Sequence, residues 1–316
     1  MKTPYVAVFG SINLDICGKA DAPLIPEDSN PGRVSLSMGG VGRNIAHNLS
    51  LLGTPVTLLT ALAGDGYERQ IRDDCKQCGI DLSAALRLQG GRTATYLVIE
   101  GPEGDVALAL CDASACQALT PDYLAGHLPL LCGASAVVID TNPPAESLAW
   151  LLERCTAPVF ADPVSVTKTE KLRPVLGRIH TLKPNLLEAE ALSGVQITDY
   201  NTLELAAAKL LQTGLRRVCI SLGSRGVYCA WDDKRHFEPC PQTRLVNASG
   251  GGDAMMAGFV RAFLDDLPID RAAKLALACS SIAVSCEQTI NPALSLQAAR
   301  ALAFGQGAQE NQITVS

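Results

Sequence analysis

The order of apolar runs in this chain predicts an α/β protein. From about residue 120, short β-prone runs at 136–139, 159–161, 181–182 and 217–221 alternate with helical patterns at 145–154, 186–193 and 202–213. That is the spacing of βα units around a largely parallel sheet. Polar residues fall just past the strands, in Asp162-Pro163 and Lys183-Pro184-Asn185, and open α/β sheets bind ligands at those strand ends. The chain has 316 residues, 47% hydrophobic but only 4% aromatic, so its core is large and aliphatic.

The first strand, 5–10, ends on Gly10 and is followed by Ser11-Ile12-Asn13-Leu14-Asp15. Asn13 and Asp15 stand two apart and point the same way in extended chain. An amide beside a carboxylate suits the vicinal hydroxyls of a sugar; the same pair also suits a solvated turn. Residues 16–38 read as irregular chain and short strands, alternating only at 34–38. Gly39-Gly40-Val41-Gly42-Arg43-Asn44 then opens a helix through Ile45, Leu49 and Leu52, stopped by Gly53-Thr54-Pro55. A strand at 56–61 and a helix at 67–78 follow. Runs at 92–99 and 106–110 face each other across Gly101-Pro102-Glu103-Gly104, which is hairpin chemistry. This hairpin and residues 16–38 break the βα alternation and are expected to form a small sheet of their own. Gly223-Ser224-Arg225-Gly226 returns the chain into an antiparallel strand at 227–230, helices at 254–264 and 271–285 close the body, and the chain after about Gly305 reads as a polar, frayed end.

The stretch with the sharpest chemistry is Asn247-Ala248-Ser249-Gly250-Gly251-Gly252-Asp253 before an apolar helix. Glycines let backbone close on a ligand, and free N–H groups at a helix start suit an anion such as phosphate. An aspartate there repels the anion unless it takes a proton from an attacking hydroxyl. Read alone, the stretch is equally an ordinary turn with Asp253 at a helix N-terminus.

Composition excludes several classes. Net charge is −6, with no basic tract, which argues against a nucleic acid polymer as partner. No apolar run reaches membrane-spanning length. Met1-Lys2-Thr3-Pro4 leads directly into a strand rather than an export signal, so the twelve cysteines are expected to stay reduced in the cytoplasm. Cys75-x-x-Cys78 lacks a second pair and reads as structural.

Together, Gly10-Ser11-Ile12-Asn13-Leu14-Asp15, Gly39-Gly40-Val41-Gly42-Arg43-Asn44, Lys183-Pro184-Asn185-Leu186-Leu187-Glu188, Ser221-Leu222-Gly223-Ser224-Arg225-Gly226 and Gly250-Gly251-Gly252-Asp253 resemble the motifs of the PfkB, or ribokinase-like, carbohydrate kinase family, in family order and across almost the whole chain. The resemblance implies one kinase domain over 1–316: a doubly wound three-layer αβα body with a small β-sheet lid from about 16–38 and 92–111. Asp28-Ser29-Asn30-Pro31-Gly32, His180-Thr181-Leu182, Ala254-Met255-Met256-Ala257-Gly258, Cys279-Ser280-Ser281 and Thr289-Ile290-Asn291-Pro292 are most similar to the pseudouridine kinase branch. That branch implies ATP-dependent phosphorylation of a nucleoside 5′-hydroxyl. The alternatives are a kinase for another nucleoside or sugar, such as ribose, adenosine or a phosphosugar, and a catalytically silent sugar-binding sensor. A phosphosugar acceptor would call on Arg33, Arg43 or Arg92.

Carried over by motif, the resemblance makes Asp253 the base and assigns the amides of Gly250, Gly251 and Gly252 to the phosphoryl group. Asn13, Asp15, Gly39, Gly40 and Asn44 hold the ribose. Asn142 stands where ribokinases use a glutamate on the sugar, and Asn30, Thr93, Thr95 and Asp112 are the lid residues placed to read a base. Asn185, Ser221, Gly223 and Gly226, with Gly250 and Gly252, line ATP. Asn185 and Glu188 meet Mg²⁺ through water, although Asn185-x-x-Glu188 is also a capping box. Asn247 and Ser249 mark a potassium-type cation site in relatives, which carry an aspartate at the position of Asn247; the amide here removes a charge and weakens such a site. Relatives also dimerise through the lid.

Overall fold

The computed structural model describes residues 4–305. Met1, Lys2, Thr3 and the polar tail expected after Gly305 lie outside the described residues.

The chain opens with β1 (Val6–Phe9), β2 (Asn13–Ala20), β3 (Gly32–Gly39), α1 (Val41–Leu51), β4 (Val56–Leu59), β5 (Ala61–Ala63), α2 (Glu68–Gln77), β6 (Ile80–Asp81), β7 (Leu86–Leu88), β8 (Thr95–Glu100) and β9 (Val106–Asp112). The βα alternation follows in α3 (Pro121–Cys132), β10 (Ala136–Asp140), α4 (Ala145–Arg154), β11 (Val159–Asp162), α5 (Val166–Thr169), β12 (Thr181–Leu182), α6 (Leu186–Ser193), α7 (Tyr200–Gln212) and β13 (Arg217–Ser221). It ends with β14 (Val227–Trp231), β15 (Lys234–Glu238), α8 (Gly251–Leu264), α9 (Ile269–Ala283) and α10 (Leu296–Phe304).

The main sheet runs β15-β14-β13-β12-β11-β10-β1-β4-β6. It is parallel from β6 to β13, and only the β13–β14 and β14–β15 pairs are antiparallel. Its strands from β4 to β14 are buried on both faces, and the edge strands β6 and β15 are partly exposed. One face packs aliphatics of α1, α8 and α9, and the other packs those of α3, α4 and α7. Two helix layers around a parallel sheet make the doubly wound α/β architecture.

The second sheet runs β3-β2-β8-β9. Residues 16–38 are thus not irregular: β2 and β3 are eight residues each and pair from Asn13 opposite Gly39 to Ala20 opposite Gly32. Asn13 and Asp15 have the composition of a turn, which masks the alternation of Leu14, Ile16, Gly18 and Ala20. The strand expected at 92–99 begins only at Thr95, because Thr93 is tied to Asp65 through its N–H (2.7 Å) and its hydroxyl (2.8 Å). α8 starts at Gly251, three residues earlier than its apolar pattern suggests, and α3, with Pro129 inside, gave no clear periodic signal.

Candidate active site

The motif segments meet at the C-terminal edge of the main sheet. Asp140, at the end of β10, is fully buried. Its Oδ2 accepts from the Ser11 N–H (2.8 Å), the Ser11 hydroxyl (2.8 Å) and the Gly42 N–H (2.9 Å). Its Oδ1 accepts from the Asn142 N–H (2.8 Å) and Nδ2 (3.0 Å). One carboxylate thus fixes the end of β1 and the start of α1 against β10. Sequence reasoning passed over it because an aspartate ending a strand reads as a turn residue.

Above this floor Asn13 Nδ2 donates to Asp15 Oδ1, both on one face of β2. A side chain at Gly39 would overlap the Asp15 carboxylate, and one at Gly40 would come within 2.7 Å of Asn13 Oδ1. The two glycines therefore make room for the amide–carboxylate pair itself. Burial raises the Asp15 pKa to about 6, against the opposing pull of Arg43 and Asn13. Asn142 is already committed: Nδ2 donates to the Ser11 hydroxyl (2.9 Å) and to Asp140, and Oδ1 accepts from Lys168 Nζ (2.6 Å). It orders the floor instead of offering free N–H groups to a hydroxyl.

The lid residues expected to read a base are placed differently. Asn30 spends its amide on its own loop, exchanging hydrogen bonds with Ile25 at 2.8 and 3.0 Å. Thr93 is held by Asp65. Thr95 pairs with Leu14 and Asp112, which puts it and Asp112 on the face opposite Asp15; Tyr96 and Cys111 share the Asp15 face instead. The one-residue parity of a strand decides this.

The glycine loop opens α8, which packs against α1. Gly250 takes a left-handed conformation (φ 78°), and a side chain there would overlap the Thr289 carbonyl. α8 has no side-chain cap, so among the described residues its first N–H groups are left for an anion. Asp253, half-buried in the first turn, accepts from Asn44 Nδ2 at 3.0 Å. Burial lifts its pKa to about 7; the Asp162 and Asp140 carboxylates push the same way, and Asn44 and Lys183 oppose them. Lys183, missed in the sequence, pairs with Asp162 at 3.1 Å, both buried. A side chain at Gly252 would sit 3.5 Å from the Lys183 ammonium, so a fixed cation stands beside the open amides.

Asn185 and Glu188 form the capping box. The Glu188 N–H donates to Asn185 Oδ1 (2.9 Å), and the Asn185 N–H donates to Glu188 Oε2 (2.8 Å). This commits the Asn185 oxygen, and among the described residues there is no group of three or more His, Cys, Asp or Glu side chains that could hold a metal. Only Glu188 Oε1 is left by the cap, which fits a Mg²⁺ ion that arrives with phosphate and keeps its water. Ser221 bridges to Asn185, and its N–H donates to the Pro184 carbonyl at 2.9 Å. Gly223 and Gly226 close the adjacent turn with positive φ. Asn247 donates to the Glu287 carbonyl (2.8 Å) and accepts from the Ser249 N–H (2.9 Å). An amide N–H thus occupies the side that would face a cation, and Asn247 with Ser249 does not fit a potassium-type site. Cys75 is buried in the core of α2, and burial pushes its thiol up to about 12.

The model of the pfkB family carbohydrate kinases matches residues 3–296. The chain belongs to that family. It is an ATP-dependent carbohydrate or nucleoside kinase. The pseudouridine kinase of Escherichia coli K12 is 40% identical over 294 residues, covering 92% of this chain and 94% of that one. The uncharacterized sugar kinase YeiI of the same organism is 38% identical, covering 94% and 83%. Among solved structures, a carbohydrate kinase from Agrobacterium tumefaciens superposes with a TM-score of 0.84 at 26% identity over 95% of this chain and 97% of that one. In the kinase, then, the parallel sheet brings the Asn13/Asp15 pair, Asn44, Asp253 and the open start of α8 to one edge.

Proposed function

We propose that this PfkB kinase transfers the γ-phosphoryl group of ATP to the 5′-hydroxyl of pseudouridine. The observation that carries the substrate is the 40% identity to the E. coli pseudouridine kinase over nearly the full length of both chains. In this reading Asn13 and Asp15 take the ribose hydroxyls, with Gly39 and Gly40 beneath them and the small sheet as lid over one kinase domain. Asp253 accepts the 5′-hydroxyl proton as that oxygen bonds to the γ-phosphorus; the bond to the bridging oxygen breaks and ADP leaves. The N–H groups of Gly250, Gly251 and Gly252 steady the charge on the phosphoryl oxygens, each donor worth roughly 10²–10³-fold. Lys183 adds a positive charge there, and the Ser221 to Gly226 turn lines the nucleotide. Mg²⁺, when bound, neutralises phosphate charge. Potassium has no role, because Asn247 already bridges the loop. Of the arginines a phosphosugar acceptor would call on, Arg43 is buried and paired with Asp74.

The kinase works in this reading as a cytoplasmic homodimer joined through the lid. All twelve cysteines are unpaired, as a reducing compartment requires. Among the described residues no helix is long and apolar enough to cross a membrane. The test is ADP release with Mg²⁺·ATP and a panel of pseudouridine, uridine, adenosine and ribose. Pseudouridine is expected to be preferred over uridine, which shares the ribose and differs in the bond to the base. A preference for uridine or ribose overturns the assignment.

A further inference from the structure

Arg43 has no place in that mechanism, yet it is a buried cation joined to Asp253 through a single side chain. It lies in the first turn of α1 and is 5% exposed. Its Nη2 donates to Asp74 Oδ2 in α2 at 2.8 Å, and its Nη1 donates to Asn44 Oδ1 at 3.3 Å. Asn44 Nδ2 in turn donates to Asp253 Oδ2 in α8 at 3.0 Å. A guanidinium only donates and a carboxylate only accepts. An amide between them has one satisfying orientation, oxygen toward the arginine and nitrogen toward the aspartate. Among the described residues, Arg43 is the donor that meets the Asn44 side-chain oxygen. Without it, a half-turn of the amide would aim a carbonyl oxygen at the Asp253 carboxylate.

We propose that Arg43, anchored by Asp74, is a positioning residue that fixes the Asn44 amide so that it donates to Asp253 and holds the base in register with the acceptor hydroxyl. The inference rests on the reading of Asp253 as the base. Asp253 also faces Asp162 from β11, Asp140 from β10 and Lys183 after β12. Arg43 faces Asp74, Cys75 and Cys78 from α2, Asp15 from β2, and His47 from its own helix. Burial, then the Arg43 charge, lowers the His47 pKa to about 4, so His47 brings no second cation near neutral pH.

Arg43→Lys separates charge from geometry in the full-length kinase. Lysine keeps the positive charge beside Asp15 and reaches Asp74, but one ammonium does not span Asp74 and Asn44 as the guanidinium fork does. The expected result is an unchanged melting temperature, a kcat lowered roughly tenfold or more, as for a lost hydrogen bond to a charged group, and an acid limb of the kcat–pH profile moved to higher pH. Asp74→Asn, which leaves the guanidinium unanchored, is expected to move the limb the same way by less. In an Asn44→Ala background, Arg43→Lys is expected to change kcat by less than about twofold. Effects of Arg43→Lys and Asn44→Ala that multiply, or an acid limb unmoved in both Arg43→Lys and Asp74→Asn, overturn the proposal. The assays use whichever acceptor the wild type phosphorylates, so a wrong substrate assignment shows in the wild-type panel and leaves this result readable. An Asp253→Asn variant with normal turnover removes the base assignment and this inference with it.

Discussion

At the residue scale the decisive group is Asp253. A carboxylate placed to receive a proton near neutrality needs a pKa close to the working pH. Burial beside Asp162 and Asp140 lifts it to about 7. In the proposed mechanism Asp253 works as an ionised base, so protonation on its acid side removes it. We expect kcat to be level above pH 7 and to fall about tenfold per pH unit below it. Asp253→Asn removes the acceptor while keeping the shape. It is expected to lower kcat by roughly 10²–10⁴-fold and to leave binding of the acceptor substrate, read by calorimetry, within about twofold of wild type. A variant that turns over normally, or one that loses binding and turnover equally, contradicts the role. Asp140 shows a different use of the same side chain: with five hydrogen bonds from Ser11, Gly42 and Asn142 it is spent on architecture.

At the element scale the glycine loop is held from outside by Asn247. The Ser249 N–H must meet an acceptor and the Glu287 carbonyl a donor, so the two bonds together fix the amide orientation. An aspartate here would face the Glu287 carbonyl with a second oxygen, and only a cation between them would relieve that. Wild-type turnover is therefore expected to be the same, within about twofold, in potassium and in tetramethylammonium buffers, with Asn247→Asp slow in the second and recovering in the first. A wild type strongly stimulated by potassium contradicts this. The same loop shows what is legible in sequence. Gly250 and Asp253 stood out because a left-handed turn and an acid beside phosphate need those residue types, and the parallel sheet followed from the strand and helix spacing. Lys183–Asp162 and Arg43–Asp74 were hidden, because each pair joins elements whose contact only the packed fold creates. The base-reading assignment of Thr95 and Asp112 rested on proximity in sequence. Their strand parity, fixed by pairing with Leu14, sets them opposite Asp15 and brings Tyr96 to that side.

At the scale of the whole molecule, the small sheet leaves one face unexplained in a lone chain. Register aligns Leu36, Ile16, Leu97 and Leu110 in one row and Val34, Gly18, Ile99 and Leu108 in the next. Val34 is 74% exposed, Leu36 57%, Leu108 55% and Leu110 60%. A row-on-row aliphatic face of this kind marks an association surface. Because side chains alternate across a strand, it is the face turned away from Asn13 and Asp15. A second copy can therefore cover it while the acceptor site stays open, and a two-fold pairing would match Leu and Val rows to themselves. The kinase is expected to sediment at twice the mass of one chain at micromolar concentration. Leu36→Glu combined with Leu108→Glu places charge at the centre of that contact, where an unpaired charge is not tolerated. That variant is expected to sediment as one chain and to keep the melting temperature of the α/β body. Its KM for the acceptor substrate should rise more than its KM for ATP, because β2, which carries Asn13 and Asp15, loses its backing. A wild type that sediments as a single chain, or a double variant that stays paired, would show that this face has another use.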